Sequence, residues 1–262
     1  MRVVVTGATG NVGTSVLHAL NEAPEVTEIA GIARRRPAVG VPKTVWVQQD
    51  VARDDLHESF EGADVVIHLA WAIQPSRDEN TLRAINVAGS ERVFRAVADS
   101  GVPSLIYASS VGAYGPGPKD RTVDESWPVT GIRSSFYSRH KALVEELLDE
   151  VEEANPGMRV VRLRPALIFK GDAASEIRRL FAGPFLPGFL VNPRLIPFAP
   201  RIPGLRFQAV HSLDVGDAYR RAAVTDIRAT PERRRSRPGP PAWRLRLQPT
   251  PPGWLTSRCR LR

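Results

Sequence analysis

The chain is short of cysteine, of long apolar runs and, toward its end, of acids. Cys259 is the single cysteine in 262 residues. No intrachain disulfide can form, which agrees with a reducing compartment. No apolar run approaches the roughly 18 residues of a membrane-crossing helix, so no membrane partner is expected. The first residues are one Arg and a strand-length apolar run closed by Gly7, without the apolar region of a secretory signal, so a cytoplasmic location is expected. The five histidines show no metal-ligand spacing, and no metal is expected. Residues 227–262 hold ten Arg against one acid, Glu232, a net of +9, while the remainder holds 26 basic and 27 acidic side chains, a net of −1. The overall +8 therefore describes the tail. A nucleic-acid partner for the body loses its main support.

What is present is ordinary for a globular protein, with 42% apolar and 24% charged residues. The length suits one large domain, or one domain with a small lobe. Residues 2–6 read as a first strand. Val12, Val16 and Leu20 then form a helical stripe. Strands are expected at 27–33, 44–50, 64–70, 104–110 and 159–169. Helices are expected at 78–99, ended by Gly101, and at 134–155, with an N-terminal serine as cap. Strands alternating with helices imply a doubly wound parallel α/β sheet. The expected domains are 1–172 for the sheet, 173–226 for a partial, proline-broken substrate lobe, and 227–262 for an Arg/Pro-rich tail. Seven prolines and a +9 charge mark that tail as disordered. Its Arg, Pro and Trp texture matches GC-rich DNA read in a shifted phase, so a frameshift near residue 227 is expected, leaving the lobe incomplete and catalysis impaired. A genuine basic tail is the alternative.

Three stretches carry chemistry. "TGATGNVG" places Gly7, Gly10 and Gly13 between the first strand and the first helix. In an open α/β sheet that turn receives a pyrophosphate: Gly7 permits the tight turn, Gly10 lets the backbone approach the phosphates, and Gly13 lets helix and strand pack closely. The helix N-terminus offers free N–H groups to the anion. No Lys follows Gly13, which excludes an ATP-type phosphate loop. The alternative is a glycine-rich turn with no ligand. In "YSRHK", Tyr137 and Lys141 stand four apart on the best helix and share a face. An ammonium near a phenol lowers its pKa and suits it to general acid–base work. Taken alone, the pair also reads as a surface tyrosine beside a solvated lysine. "SSVGAYG" puts Ser110 at the end of the fifth strand, on the ligand side of the sheet, where simple turn chemistry is the alternative.

In order and spacing these pieces resemble the extended short-chain dehydrogenase/reductase family, the NAD(P)-dependent epimerase/dehydratase group, from residue 1 to about 223. "TGATGNVG" is similar to TGxxGxxG, "HLAW" to the strand-four segment beside the cofactor, "NVAGS" to NVxGT, "SSVGAYG" to SSxxVYG, "YSRHK" to YxxxK, and "HSLDVGDA" to HVxDVAxA. The resemblance implies a Rossmann fold and a hydride transfer between a nicotinamide and a carbon bearing an alcohol or ketone. It implies Tyr137 as general acid/base, Lys141 as the group that lowers its pKa and bonds the nicotinamide ribose, and Ser110 as the catalytic hydroxyl. It implies cofactor contacts at Gly7, Thr9, Gly10, Asn11, Val12, Gly13, Asp50, Val51, Leu69, Ala70, Trp71, Asn86, Ala108 and Pro165, besides Tyr137 and Lys141. It also implies pairing of two copies through the helices carrying "NVAGS" and "YSRHK".

NAD enzymes usually carry an acid near the end of strand two. Here Ala33 stands there, followed by Arg34, Arg35 and Arg36. Guanidinium groups pair well with phosphate, so Arg34 and Arg35 point to NADP, with NAD as the alternative. The partner is a small molecule. The apolar 181–207 stretch is closer to steroid- and flavonol-type reductases than to the sugar branch. Reduction or oxidation of a carbonyl or secondary alcohol is the first reading. An epimerase or dehydratase on the same scaffold, or a dinucleotide-binding protein without catalysis, are the others.

Overall fold

The computed structural model describes residues 1–38, 40–73, 78–118, 120–171 and 208–225. Of the expected lobe at 173–226 only 208–225 is among these residues, and the expected tail at 227–262 lies outside them.

Six strands form one sheet in the order β3-β2-β1-β4-β5-β6: β1 (Arg2–Thr6), β2 (Glu28–Ala33), β3 (Thr44–Gln48), β4 (Val65–His68), β5 (Ser104–Ala108) and β6 (Arg159–Leu163). Every pairing is parallel. Parallel neighbours need crossovers and, except between β2 and β3, where the described residues hold no helix, helices supply them. These are α1 (Asn11–Glu22), the short α2 (His57–Phe60), α3 (Glu79–Arg83) continued by a π-helical turn (Ala84–Ala88) into α4 (Gly89–Asp99), and α5 (Phe136–Ala154). Ser135 caps α5, its side chain accepting from the Ser138 N–H. Gly101, at φ +65°, follows α4 in the left-handed conformation that suits glycine at a helix end.

Side chains alternate across the sheet. Val3 and Val5 of β1 are buried with Leu17, Leu20, Ile67 and Ile106 on one face. Val4 is buried with Val66, Phe94, Leu105, Tyr107 and Leu148 on the other. Both faces are covered, which explains why "VVIH" reads as a continuous apolar run.

The expected single strand over 159–169 is corrected by the structure. β6 ends at Leu163, and β7 (Leu167–Phe169) leaves the sheet to pair in parallel with β8 (Ala209–His211). Pro165 cannot donate to a sheet ladder, and its carbonyl instead accepts the Val111 N–H at 3.1 Å. From β8 the chain runs directly into α6 (Ser212–Val224), which packs on α1. Val215, Tyr219 and Ala223 of α6 join the core beneath β1. A Cβ on Gly216 would stand 2.5 Å from the Ser15 carbonyl oxygen, so the close approach of the two helices requires glycine there.

Candidate functional site

The strand order reverses between β1 and β4, and the loops leaving these neighbours open a crevice at their carboxyl ends. The glycines meet there. Gly7 has φ +70°, and a Cβ on it would lie 2.7 Å from the Ala70 nitrogen, in the loop after β4. A Cβ on Gly13 would lie 2.4 Å from the Gly7 oxygen. Gly10 is different: its added Cβ would meet only the Gly7 oxygen, at 3.3 Å. Gly7 and Gly13 are thus demanded by packing, while Gly10 keeps the helix entrance low and open. Gly10 is the N-cap of α1, makes no side-chain cap, and the first turn carries no acid. These are the features of a cradle for an anion, and a dinucleotide pyrophosphate fits it. Thr9 and Asn11 are exposed and Val12 half-buried around this entrance.

The loop after β4 joins this cradle to α5. Leu69 and Ala70 are half-buried along it, and the Leu69 N–H donates to the Thr6 carbonyl at 3.1 Å. Trp71 follows, and the Lys141 ammonium sits 3.4 Å from its ring centroid. The same indole meets the Tyr137 ring edge-on at 5.9 Å. A contiguous path therefore runs from Gly7 through Ala70 and Trp71 to Lys141 and Tyr137.

Asn86 shapes that loop. It lies in the π-helical turn, wholly buried, and both ends of its amide bond the Ala72 backbone: Oδ1 accepts from the N–H at 2.7 Å and Nδ2 donates to the carbonyl at 3.0 Å. A π-helical turn inside a longer helix shifts the side-chain phase, and here it directs Asn86 at the loop. Beside it runs a buried chain of hydrogen bonds. Ser90 Oγ donates to the Asn86 carbonyl, so His68 Nε2 must donate to Ser90 Oγ at 2.9 Å. His68 Nδ1 then accepts from Thr6 Oγ1 at 2.7 Å, and Thr6 accepts from the Ala70 N–H. Every member is used once, which fixes the histidine tautomer. Burial, and then the Lys141 charge, hold the His68 pKa down at about 3, so it is neutral.

Lys141, 3% exposed, donates to the Ala108 carbonyl at 2.6 Å and to the Tyr107 hydroxyl at 3.3 Å. Burial pushes its pKa well below the usual lysine range, and Glu145 pulls the other way. The expected lowering of the Tyr137 pKa by Lys141 is not what the structure shows. The ammonium is turned toward Ala108, 6.0 Å from the Tyr137 ring centroid. Burial raises the Tyr137 pKa, and a hydrogen bond with Ser110 opposes this. Ser110 also accepts the Gly112 N–H at 3.0 Å, capping the short turn at 111–113, so turn chemistry and a site role coexist in one hydroxyl. A Cβ on Gly112 would come within 3.0 Å of the Tyr137 ring, so glycine keeps Ser110 and Tyr137 together.

Two residues escaped the sequence reading. Glu145 continues the series Tyr137, Lys141 at the same four-residue spacing, buried on the same face of α5. It accepts from Arg164 Nε at 2.7 Å, from Arg164 Nη2 at 2.5 Å and from Ser109 Oγ. Arg164 also donates to the Tyr114 hydroxyl at 3.0 Å. The spacing alone was the available signal. Ser138 donates to the Gly112 carbonyl and accepts the Ile132 N–H at 2.7 Å, tying two loops to the start of α5. No signal in the sequence marked it.

The other residues expected at the cofactor follow the ends of β2 and β3. Asp50 Oδ1 accepts the Ala52 N–H at 3.0 Å, and Val51 is buried beside Gly89. Arg34 and Arg35 are exposed directly after β2, and neither forms a hydrogen bond or ion pair among the described residues, while Ala33 is buried. A cavity of about 700 Å³ opens along α5 and the end of β6, lined by Arg139, Glu145, Glu146, Asp149, Arg162 and Arg164 among others, so the Glu145–Arg164 pair forms part of its wall. Among the described residues no group of acids, histidines or cysteines could hold a metal, and no helix is long and apolar enough to cross a membrane.

An uncharacterised protein of Mycobacterium tuberculosis is 28% identical over 228 residues, 87% of this chain. The chain spans about a fifth of that relative, 20% of its length. L-arabinose 1-dehydrogenase (NAD(P)(+)) of Haloferax volcanii is 26% identical over 67% of this chain and 70% of the enzyme. Among solved structures, UDP-N-acetylglucosamine 4-epimerase of Methanobrevibacter ruminantium superposes with a TM-score of 0.68 at 21% identity, over 86% of this chain and 73% of that one, and so shares the fold. The NAD dependent epimerase/dehydratase family matches residues 3–172, through the whole glycine turn, the Trp71 loop and the Tyr137–Lys141 helix, and the chain belongs to it.

Proposed function

We propose that the chain is an NAD(P)-dependent oxidoreductase acting on a carbonyl or secondary alcohol. The observation that carries this reading is the unbroken path from the Gly7–Gly10–Gly13 cradle through Ala70 and Trp71 to Lys141, Tyr137 and Ser110. The nicotinamide supplies or takes the hydride. Tyr137 exchanges the proton with the substrate oxygen. Ser110 accepts the Gly112 N–H on one lone pair and is hydrogen-bonded with Tyr137, and its hydroxyl would join Tyr137 in holding that oxygen. Lys141, braced by Ala108 and Tyr107, would hold the nicotinamide ribose. The similarity to L-arabinose 1-dehydrogenase (NAD(P)(+)) of Haloferax volcanii supports this class of reaction.

NADP is the preferred dinucleotide in this reading. Two guanidinium groups without a partner among the described residues stand after β2, and a buried alanine occupies the place of the usual acid. The substrate expectation from the apolar 181–207 stretch lies outside the described residues. Family membership favours a second reading, epimerisation or dehydration, in which the hydride returns to the substrate. Calorimetric titration of the full chain with NADP and NAD, followed by a screen of carbonyl and alcohol substrates, tests the proposal. Binding of either dinucleotide and net change in reduced nicotinamide support it. Binding without net change in a converted substrate favours the second reading. Binding of neither dinucleotide overturns both.

A further inference from the structure

Lys170 follows β7 directly, and its ammonium donates to Thr14 Oγ1 at 2.7 Å. Thr14 belongs to the first turn of α1, and its hydroxyl reaches back to the Gly10 and Asn11 carbonyls at 3.2 Å each. Side chains lean toward the N-terminus of a helix, so Thr14 Oγ1 lies about one turn or less from the Gly10 cap. The lysine is brought there by a firm support. β7 pairs with β8, β8 leads into α6, and α6 packs on α1 at the Gly216–Ser15 approach.

The electrostatics of this placement are unfavourable within the protein alone. The N-terminal end of a helix carries partial positive charge, and a cation beside it is disfavoured. The first turn of α1 holds no acid. Lys170 forms no ion pair among the described residues, its one hydrogen-bond partner there being a neutral hydroxyl. The chain thus places an ammonium and a positive helix end together, at the cradle that Gly7, Gly10 and Gly13 hold open.

We propose that Lys170 is a diphosphate-binding residue of the dinucleotide site, its ammonium moving from Thr14 to the diphosphate held at the N-terminus of α1. This rests on the dinucleotide reading above and adds to it a contact delivered from the β7–β8 pair. The diphosphate is common to NAD and NADP, so Lys170 serves both equally. Arg34 and Arg35, after β2, answer only to the extra phosphate of NADP. A charge-assisted hydrogen bond to phosphate outweighs one to a neutral hydroxyl, which drives the exchange.

The test uses the full chain with Lys170→Ala, Lys170→Arg and Lys170→Glu, and three probes: NAD, NADP and ADP-ribose. Lys170→Ala should weaken all three by about tenfold, the scale of one charged hydrogen bond partly screened by water. Lys170→Arg should retain most of the affinity, and Lys170→Glu should lose more than Lys170→Ala. The ratio of NADP to NAD affinity should stay at the parent value. Without dinucleotide, the Tm of Lys170→Ala should equal or exceed that of the parent, because a charge has left the positive end of a helix. Parent-like affinities in Lys170→Ala overturn the inference while leaving the dinucleotide reading intact. So does a lowered Tm with unchanged affinity, the mark of a purely structural tie. A parent that binds none of the probes overturns the dinucleotide reading, and this inference with it.

Discussion

Arg164 grips Glu145 with two nearly parallel hydrogen bonds, so the end of β6 is fastened to the face of α5 that also carries Tyr137 and Lys141. Glu145 is 3% exposed, and it holds the Arg164 pKa above the usual arginine range. The pair sets where α5 lies against the sheet, and thereby where the candidate acid–base group stands.

Removing Glu145 leaves the half-buried Arg164 without its carboxylate and takes from Arg162 a carboxylate at 3.5 Å. Glu145→Leu should destabilise the protein by roughly 3 kcal/mol or more, as for other broken buried pairs. The double variant Glu145→Leu with Arg164→Met should recover much of that loss. Denaturant titrations of the parent, both single variants and the double variant check this. Strict additivity of the two single losses would show that the residues act separately.

Tyr137→Phe should cut turnover by on the order of 10²–10⁴ while leaving dinucleotide affinity nearly intact. Lys141→Met should reduce both. Steady-state kinetics and calorimetry on the same preparations separate the two effects. Near-parental turnover in Tyr137→Phe would remove it from the acid–base role.

Arg34→Ala combined with Arg35→Ala should weaken NADP binding by roughly 1–3 kcal/mol and leave NAD nearly unchanged. Equal losses for the two dinucleotides would place the guanidinium groups outside the cofactor site.

His68 gives a pH dependence with a definite sign. Its pKa is about 3 in the folded chain against an ordinary 6.5, so below the ordinary value the unfolded chain takes up a proton that the folded chain refuses. Stability is therefore full above about pH 7 and falls as pH drops toward 3, by up to about 1.4 kcal/mol per pH unit. His140, lowered chiefly by burial, acts in the same direction. His57, raised chiefly by Asp55 and then Asp99, acts in the opposite one and is fully exposed. Both stay in place in His68→Asn, so the difference between parent and variant isolates His68. Denaturation midpoints measured between about pH 7 and about pH 5 should fall less steeply in the variant. Parallel profiles would show that His68 does not carry the slope.

Much of this was legible before the structure, for reasons that differ from residue to residue. Gly7 and Gly13 announce themselves because glycine between a strand and a helix has few other uses. Tyr137 and Lys141 share a face by helical period alone. Strand β4 shows as an apolar run because helices cover it on both sides. Other features were silent because they depend on contacts distant in sequence. The break between β6 and β7 needed the Val111 N–H to claim the Pro165 carbonyl. Gly216 reads as an ordinary helix residue until Ser15 of another helix is found against it. The bonds of the Asn86 amide to Ala72 likewise join two stretches that the sequence alone does not bring together.

The π-helical turn at Ala84–Ala88 behaves as one residue inserted into an otherwise continuous helix from Glu79 to Asp99. Each residue of an α-helix advances it by about 100°. Deleting a single residue there would restore regular winding, yet it would rotate α3 by that angle relative to α4. Asn86 would swing away from Ala72, and the loop that carries Trp71 over Lys141 would lose that anchor. A sequence one residue shorter would thus wind a more regular helix and hold the Trp71 loop less firmly.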